Sequence, residues 1–218
     1  MKKLLLIAVA LAALVAPIVS RAESNVNTAA VVGSAVTARL NFSVVIPSVL
    51  YLAVGTNTTM AANATIDNLV FTVPAASIGA GTASVVVSGG DQGVGAVTVR
   101  VFSNVGGATG NVSLNSSTSG QMVNATADVI PWTDIAVVSA PLAVTTTGYT
   151  NAGITHPAFN NAVAGGADTV VTLTAASKVV RQEGKWTFSY ANSSAYPAGT
   201  YGGSVAKNGV VTYTATAL

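Results

Sequence analysis

The stretch 184–218 contains the pattern that most restricts the fold. Trp186, Phe188 and Tyr190 alternate with hydroxyl-bearing residues, so one side of this run is aromatic and the other is polar. Successive side chains of a β-strand point to opposite faces, and such alternation is typical of a half-buried strand. We therefore predict a strand here whose aromatic side chains enter a core.

A second alternating run closes the chain. Val211, Tyr213, Ala215 and Ala217 share one face, with threonines between them. Asn208-Gly209 precedes this run, and Asn-Gly between two β-like runs favours a hairpin, because both residues tolerate positive φ. We predict a hairpin whose first arm covers 201–205. The predicted C-terminal core comprises Trp186, Phe188, Tyr190, Tyr201, Val211 and Tyr213.

The N-terminal part alternates for longer than any other stretch, and the sequence predicts one long strand over 34–46. One face carries Val36, Ala38, Leu40, Phe42, Val44 and Ile46. Two interpretations stay open. The run is either the first strand of its own domain, or, within 25–46, a donor strand that completes the sheet of a neighbouring copy. Eleven residues would span about 36 Å as a strand. In either case we expect Leu40 and Phe42 to be buried, like Val99 and Val101.

Short β-like runs separated by Gly, Asn, Ser and Pro clusters fill the rest of the chain. They cover 49–54, 64–73, 83–88, 96–102, 111–115, 135–138, 142–147 and 169–175. No stretch sustains helical periodicity, apart from a helical turn expected at 156–163. We predict an all-β fold, an antiparallel two-sheet sandwich of immunoglobulin-like or jelly-roll-like type. Residues 23–218 are expected to form a single domain.

The N-terminus has the features of an export signal. Lys2 and Lys3 precede an apolar run, and Ser20 and Ala22 are small residues at the −3 and −1 positions of a cleavage site. The run is broken by a proline and is shorter than the roughly 20 residues that span a bilayer. We predict a signal peptide over 1–22, no membrane span after its removal, and a secreted or cell-surface product.

Without the leader the chain would hold six basic and seven acidic residues. This balance, with no basic patch, argues against nucleic acid as a partner. Charged residues make up only 7% of the chain, against about 25% in an average protein. A surface of this kind repels other copies only weakly.

The sequence offers little catalytic equipment, and we predict neither an enzyme nor a cofactor. There is one histidine, His156, which we interpret as an ordinary loop residue, and there is no cysteine, so a zinc site and thiol chemistry are not expected. Asp128 and Asp134 flank Trp132, as in some sugar-processing sites, but their spacing fixes no distance, and we interpret them as turn residues beside a core tryptophan. The glycine-rich loop at 90–95 precedes a strand rather than a helix, so we interpret it as a hairpin loop.

The C-terminal pattern resembles a known class of secreted subunits. Pro197-Ala198-Gly199-Thr200-Tyr201, followed by Val211-Thr212-Tyr213-Thr214, is similar to the closing segment of chaperone–usher pilins and spore-coat-U-like proteins. The plan of leader, long alternating N-terminal segment and short strands is similar too. The resemblance implies an immunoglobulin-like extracellular subunit, with a periplasmic chaperone among its partners.

These observations predict a structural or adhesive subunit of an extracellular filament, which self-associates through strand exchange. The alternative is a monomeric secreted binding module for a carbohydrate or protein ligand. A carbohydrate module would be expected to display coplanar exposed aromatic rings, whereas a filament subunit would leave an apolar groove or an unpaired edge strand. Aromatic residues are only 6% of the chain, which favours the subunit.

Overall fold

The computed structural model describes residues 23–56 and 60–218. Contacts divide the chain into two units, Met1–Ile46 and Pro47–Leu218. In the described part of the first unit, 23–46, the backbone forms two turns and irregular stretches but no strand or helix. The predicted signal peptide, 1–22, lies outside the described residues.

The second unit contains all the strands that the structure describes. They are β1 (Leu50–Val54), β2 (Leu69–Thr72), β3 (Val86–Gly89), β4 (Ala96–Ser103), β5 (Val112–Thr118), β6 (Met122–Val123), β7 (Val129–Ile130), β8 (Ile135–Ala140), β9 (Thr150–Asn151), β10 (Gly166–Ala167), β11 (Val171–Leu173), β12 (Val180–Tyr190) and β13 (Val211–Ala217). Short 3₁₀ helices cover Ala75–Ser77, Thr82–Ser84, Trp132–Asp134 and Val205–Lys207.

The fold is all-β, as predicted, and every described strand pair is antiparallel except the short pair of β9 with β12. The five-stranded sheet has the order β1-β4-β12-β8, with β9 also beside β12. In the four-stranded sheet, β5 pairs with β13 on one side and with both β10 and β11 on the other. Strands β2 and β3 form a separate small sheet, as do β6 and β7.

The core forms where alternate residues of the long strands face inward. In β12, Trp186, Phe188 and Tyr190 are buried, and in β4 the inward face carries Val99 and Val101, which are fully buried. β5 contributes to the same cluster from the four-stranded sheet. The buried cluster contains Val97, Val99, Val101, Val112, Leu114, Ile130, Trp132, Ile135, Ile154, Leu173, Val180, Trp186, Phe188 and Tyr190.

An irregular stretch, the inner segment (residues 154–161), contacts both larger sheets. Trp186 of β12 donates its indole N–H to the Ile154 carbonyl over 2.6 Å, and Ser116 of β5 donates its hydroxyl to the Ala158 carbonyl over 2.8 Å. Gly184 permits the approach, because a β-carbon there would lie 2.7 Å from the Gly153 α-carbon. The helical turn predicted at 156–163 is therefore wrong: side-chain hydroxyls, not helical amides, bond these carbonyls.

Two of the predicted strands outside the C-terminal hairpin are absent. The stretch 34–46 is not a strand, and Leu40 and Phe42, expected to be buried, are 61% and 84% exposed. No ladder partner pairs with this stretch in the structure, so its alternation has no face to bury. The stretch 142–147 also lacks strand structure and follows the surface of the five-stranded sheet.

The predicted C-terminal hairpin does not form. Asn208 has a positive φ of 55°, but it caps the 3₁₀ helix Val205–Lys207, and Gly209 does not have a positive φ. The first arm, 201–205, is not a strand, because the backbone turns at Gly202 and Gly203, both with positive φ, and continues into the 3₁₀ helix. The glycine-rich loop at 90–95 is also not a hairpin loop. It connects two sheets, since β3 pairs with β2 and not with β4.

Candidate functional site

The outer side of β1 is an open edge of the five-stranded sheet, whose other edge strand is β8. Val49 accepts a bond from the Asn104 amide, and Gly55 donates one to the Thr98 carbonyl. Since only alternate residues of an antiparallel strand bond one neighbour, the odd-numbered residues of β1 face β4. The main-chain groups of Leu50, Leu52 and Val54 therefore face away from β4, and no backbone bond joins them to another strand in the described part of the chain.

A groove of about 430 Å³ follows this edge. One wall is the strand itself, residues 49–54, and the other is formed by 60–63 with Thr56 and Thr65. Strand β13 lies beside β1 on the neighbouring sheet. Its Val211, Tyr213 and Ala215 are half-buried and pack against the same core as Leu52 and Val54. The open edge thus has an apolar face on its core side.

The main-chain groups of β13 show the same asymmetry. Leu218 donates its amide to the Asn111 carbonyl, so the even-numbered residues of β13 bond β5 and the odd-numbered ones face outward. Two outer edges, one from each larger sheet, therefore lie side by side. The groove runs along the edge at β1, which makes this edge the better candidate to accept another strand.

The alternating segment (residues 36–46) displays an apolar stripe to solvent. Every side chain of the stripe is exposed, with Phe42 at 84%, Val44 at 83% and Ile46 at 75%. On the polar side, Arg39 forms a bidentate ion pair with Glu23 at 2.7 and 3.1 Å, which lowers the pKa of that carboxyl through hydrogen bonding. An exposed stripe of this length is unusual unless a partner covers it.

Asn104 holds the entry to β1. Its side-chain oxygen accepts the Val49 amide over 2.6 Å, and its side-chain nitrogen donates to the Pro47 carbonyl over 2.8 Å. The carboxamide thereby substitutes for one more peptide group of β4. It ties residues 47–49 to the end of β4.

His156, predicted as an ordinary loop residue, lies in an aromatic cluster of the inner segment. Its Nε2 lies 2.8 Å from the Tyr213 hydroxyl, and its ring makes edge contacts with Trp186, Phe188 and Phe159. Burial lowers the pKa of His156 to about 4, so the ring is neutral at pH 7. It thus links the inner segment to the outer strand β13.

The two carboxylates near Trp132 accept hydrogen bonds from polar side chains. Asp134 accepts the Tyr196 hydroxyl over 2.8 Å, and Asp128 accepts bonds from Thr126 and Asn124, which lower the pKa of Asp128. Trp132 is buried, and its indole N–H donates to the Gly120 carbonyl. In the glycine-rich loop, Asp91 accepts the Thr98 amide and hydroxyl and so ties the loop to β4.

The predicted C-terminal core divides into two groups. Trp186, Phe188 and Tyr190 are buried, whereas Tyr201, Val211 and Tyr213 are half-buried and pack against the cluster. The half-buried group includes the β13 residues beside the open edge. Sequence periodicity alone did not separate these two groups.

Sequence reasoning missed the buried ion pair of Arg100 and Glu183. The two residues face each other across β4 and β12, 2.9 Å apart, on the face of the sheet opposite the core. Residues 141–151, here called the strap, cover them: Thr146 donates its amide to Glu183 and its hydroxyl accepts from Arg100. Burial alone would raise the pKa of Glu183, but these bonds outweigh it and lower the pKa. The only feature of the sequence that could have indicated this ion pair was one charged residue in β4 and another in β12.

Within the described ranges, no group of three or more His, Cys, Asp or Glu side chains is arranged to hold a metal ion. No helix in those ranges is long and apolar enough to cross a bilayer. Compared with protein-family models, curated proteins and solved structures, the chain matches none of them. The functional interpretation therefore depends on the open edge at β1 and on the alternating segment.

Proposed function

We propose that the protein is an exported structural or adhesive subunit of an extracellular or cell-surface filament, and that it assembles by β-strand complementation. One observation carries the proposal: the chain has both an exposed alternating apolar segment, 36–46, and an open strand edge, Leu50–Val54. The alternating segment of one copy would pair with the open edge of the next. Main-chain bonds supply affinity in this mode, and alternate side chains set the register.

The architecture that we propose is an immunoglobulin-like sandwich of the two larger sheets. The buried cluster draws residues from β4 and β12 on one side and from β5 and β11 on the other, as two facing sheets require. A strand added at the outer edge of β1 would extend the five-stranded sheet. Its inward side chains would then lie along the half-buried Leu52, Val54 and Tyr213.

The chemistry of the stripe favours this pairing. Fully burying a Val, Leu, Ile or Phe side chain contributes about 1.5–3 kcal/mol, and the stripe contains five such residues. A second supporting feature is the scarcity of charge, because only 7% of residues are charged, and copies approach without strong repulsion.

The proposal also includes an N-terminal signal peptide and a periplasmic chaperone that shields the stripe before assembly. No observation specifically favours the monomeric binding module, since both tryptophans are buried.

The proposal is tested with the full chain and a donor-face variant, Leu40→Thr with Phe42→Thr. The matched control, Asn41→Thr with Ser43→Thr, changes the opposite face. Losing two large apolar contacts should weaken self-association by roughly 3–6 kcal/mol, more than about a hundredfold. Sedimentation over a range of concentrations measures association, and negative-stain microscopy detects filaments.

A second variant tests the acceptor edge. Leu50→Pro removes an amide that faces away from β4 and leaves the ladder to β4 intact. It should weaken association by roughly tenfold, whereas Leu50→Ala, which keeps the amide, should weaken it less. The proposal is wrong if the wild-type chain stays monomeric at high concentration and the donor-face variant binds no peptide of residues 34–46.

A further inference from the structure

The alternating segment and the open edge belong to the same chain, separated by a short connection. Ile46 ends the segment and Leu50 begins β1. A tethered segment experiences an effective concentration on the order of millimolar. At micromolar protein this exceeds other copies by about a thousandfold, so a flexible connection would let each chain complete its own sheet. Assembly between copies therefore requires a feature that prevents each chain from completing its own sheet.

The connection itself supplies the reason. A two-residue hairpin needs residues that accept positive φ, and the β-branched Val45 and Ile46 adopt it only at high cost. Ile46 also precedes Pro47, which restricts it to extended conformations. A reversal at 45–46 is therefore disfavoured by the sequence alone.

Asn104 blocks the next place for a reversal. Its carboxamide bonds both the Val49 amide, at 2.6 Å, and the Pro47 carbonyl, at 2.8 Å. Its own amide donates to the Val49 carbonyl at 3.1 Å. Bending 47–49 into a turn would break these three bonds, and the proline ring already fixes φ at the first of the three residues.

We infer that residues 45–49, of which Asn104 holds Pro47 and Val49, form a non-reversing joint that commits the alternating segment to a second copy of this chain. Asn104 acts as a positioning residue, since it touches the connection and not the docked strand. This inference rests on the proposed function and adds a determinant of the choice between self-pairing and pairing with another copy. A reversal further upstream would place part of the apolar stripe in the turn. The rest of the segment would then be out of register with β1.

The test compares two full-length variants. Ile46→Asn with Pro47→Gly places an Asn-Gly turn at the joint, and Ile46→Asn alone makes the same side-chain change but keeps the proline. We expect the double variant to be monomeric, with a melting temperature independent of concentration and at least about tenfold weaker binding of a peptide of residues 34–46, because its own segment occupies the edge. The single variant should still self-associate.

A second comparison addresses Asn104. Asn104→Ala frees the connection and should shift the population toward monomers that ignore the peptide, whereas Asn104→Asp keeps the acceptor for the Val49 amide and should be intermediate. A merely structural role would lower the melting temperature of both without creating a peptide-blocked monomer.

The outcomes separate the inference from the proposed function. If the wild-type chain is a monomer that ignores the peptide while the donor-face variant binds it, the segment pairs with its own edge and the joint inference is wrong, but β1 remains the acceptor. If the Asn-Gly variant self-associates as well as the single variant, the joint inference is wrong and assembly stands. If neither the wild-type chain nor the donor-face variant associates or binds peptide, both proposals fail.

Discussion

Strand β13 and the alternating segment carry the same period-2 pattern, and in the structure they have different fates. In β13 the apolar residues are half-buried, and the backbone pairs with β5 along the whole strand. In the alternating segment the apolar residues are exposed, and no ladder forms. The difference shows that alternation specifies which faces a strand would have. A partner strand decides whether the strand exists.

The largest expected difference between the two regions is in side-chain burial. Tyr213→Ala removes a ring packed on Trp186 and the bond to His156, and should lower the free energy of unfolding by roughly 3 kcal/mol. Phe42→Ala should change it by less than about 0.5 kcal/mol in the monomer. Urea denaturation at a concentration where the wild-type chain is monomeric measures both. Equal losses would mean that Phe42 is buried in the monomer.

Acid should destabilise the region of β13 through His156, which has no counterpart among residues 36–46. The pKa of His156 is about 4 in the folded state and about 6.5 when unfolded, so the unfolded state takes up the proton first. The contribution of neutral His156 to the free energy of unfolding is then fully present above about pH 6.5. It decreases by roughly 2–3 kcal/mol as the pH falls to about 4. We would measure the free energy of unfolding of the wild-type chain and of His156→Gln by denaturation at several pH values from 7 to 4. The difference between the two chains separates the effect of His156 from that of the carboxylates. A difference independent of pH would contradict it.

The smallest expected difference concerns the backbone alone. Thr214 in β13 and Ser43 in the alternating segment are both exposed, so glycine at either position removes little packing. Thr214→Gly should cost roughly 1 kcal/mol, because glycine weakens a paired strand, while Ser43→Gly should cost almost nothing in the monomer. In the assembled state the two costs should become similar. If Ser43→Gly stays neutral after assembly, the segment does not form a strand there.

The sequence predicted those strands that have both a clear apolar pattern and a neighbouring strand with which to pair. β4, β12 and β13 were predicted from alternating or continuous apolar residues, and all three lie in the larger sheets. The predicted all-β antiparallel class followed from these patterns. The run at 201–205 failed because Gly202 and Gly203 adopt positive φ, a choice that periodicity does not encode.

The features that escaped prediction depend on residues distant in sequence. Arg100 meets Glu183 only because of the register between β4 and β12. His156 packs against the core rings of Trp186 and Phe188 because the inner segment is held between the two larger sheets. The open edge at β1 is likewise a property of strand order, which no local pattern specifies. The apolar stripe of the alternating segment was visible in the sequence, but its exposure was not.

The way in which Asn104 aligns the chain ahead of β1 also determines how a load would enter the molecule. A pull transmitted through Pro47 would run along the axis of β1, and the bonds between β1 and β4 lie perpendicular to that axis. The five residue pairs of this ladder, Leu50–Ser103 to Val54–Val99, would then bear the force together in shear and would not peel apart one after another. In the proposed filament, each subunit would therefore resist tension between β1 and β4 through bonds that share the load.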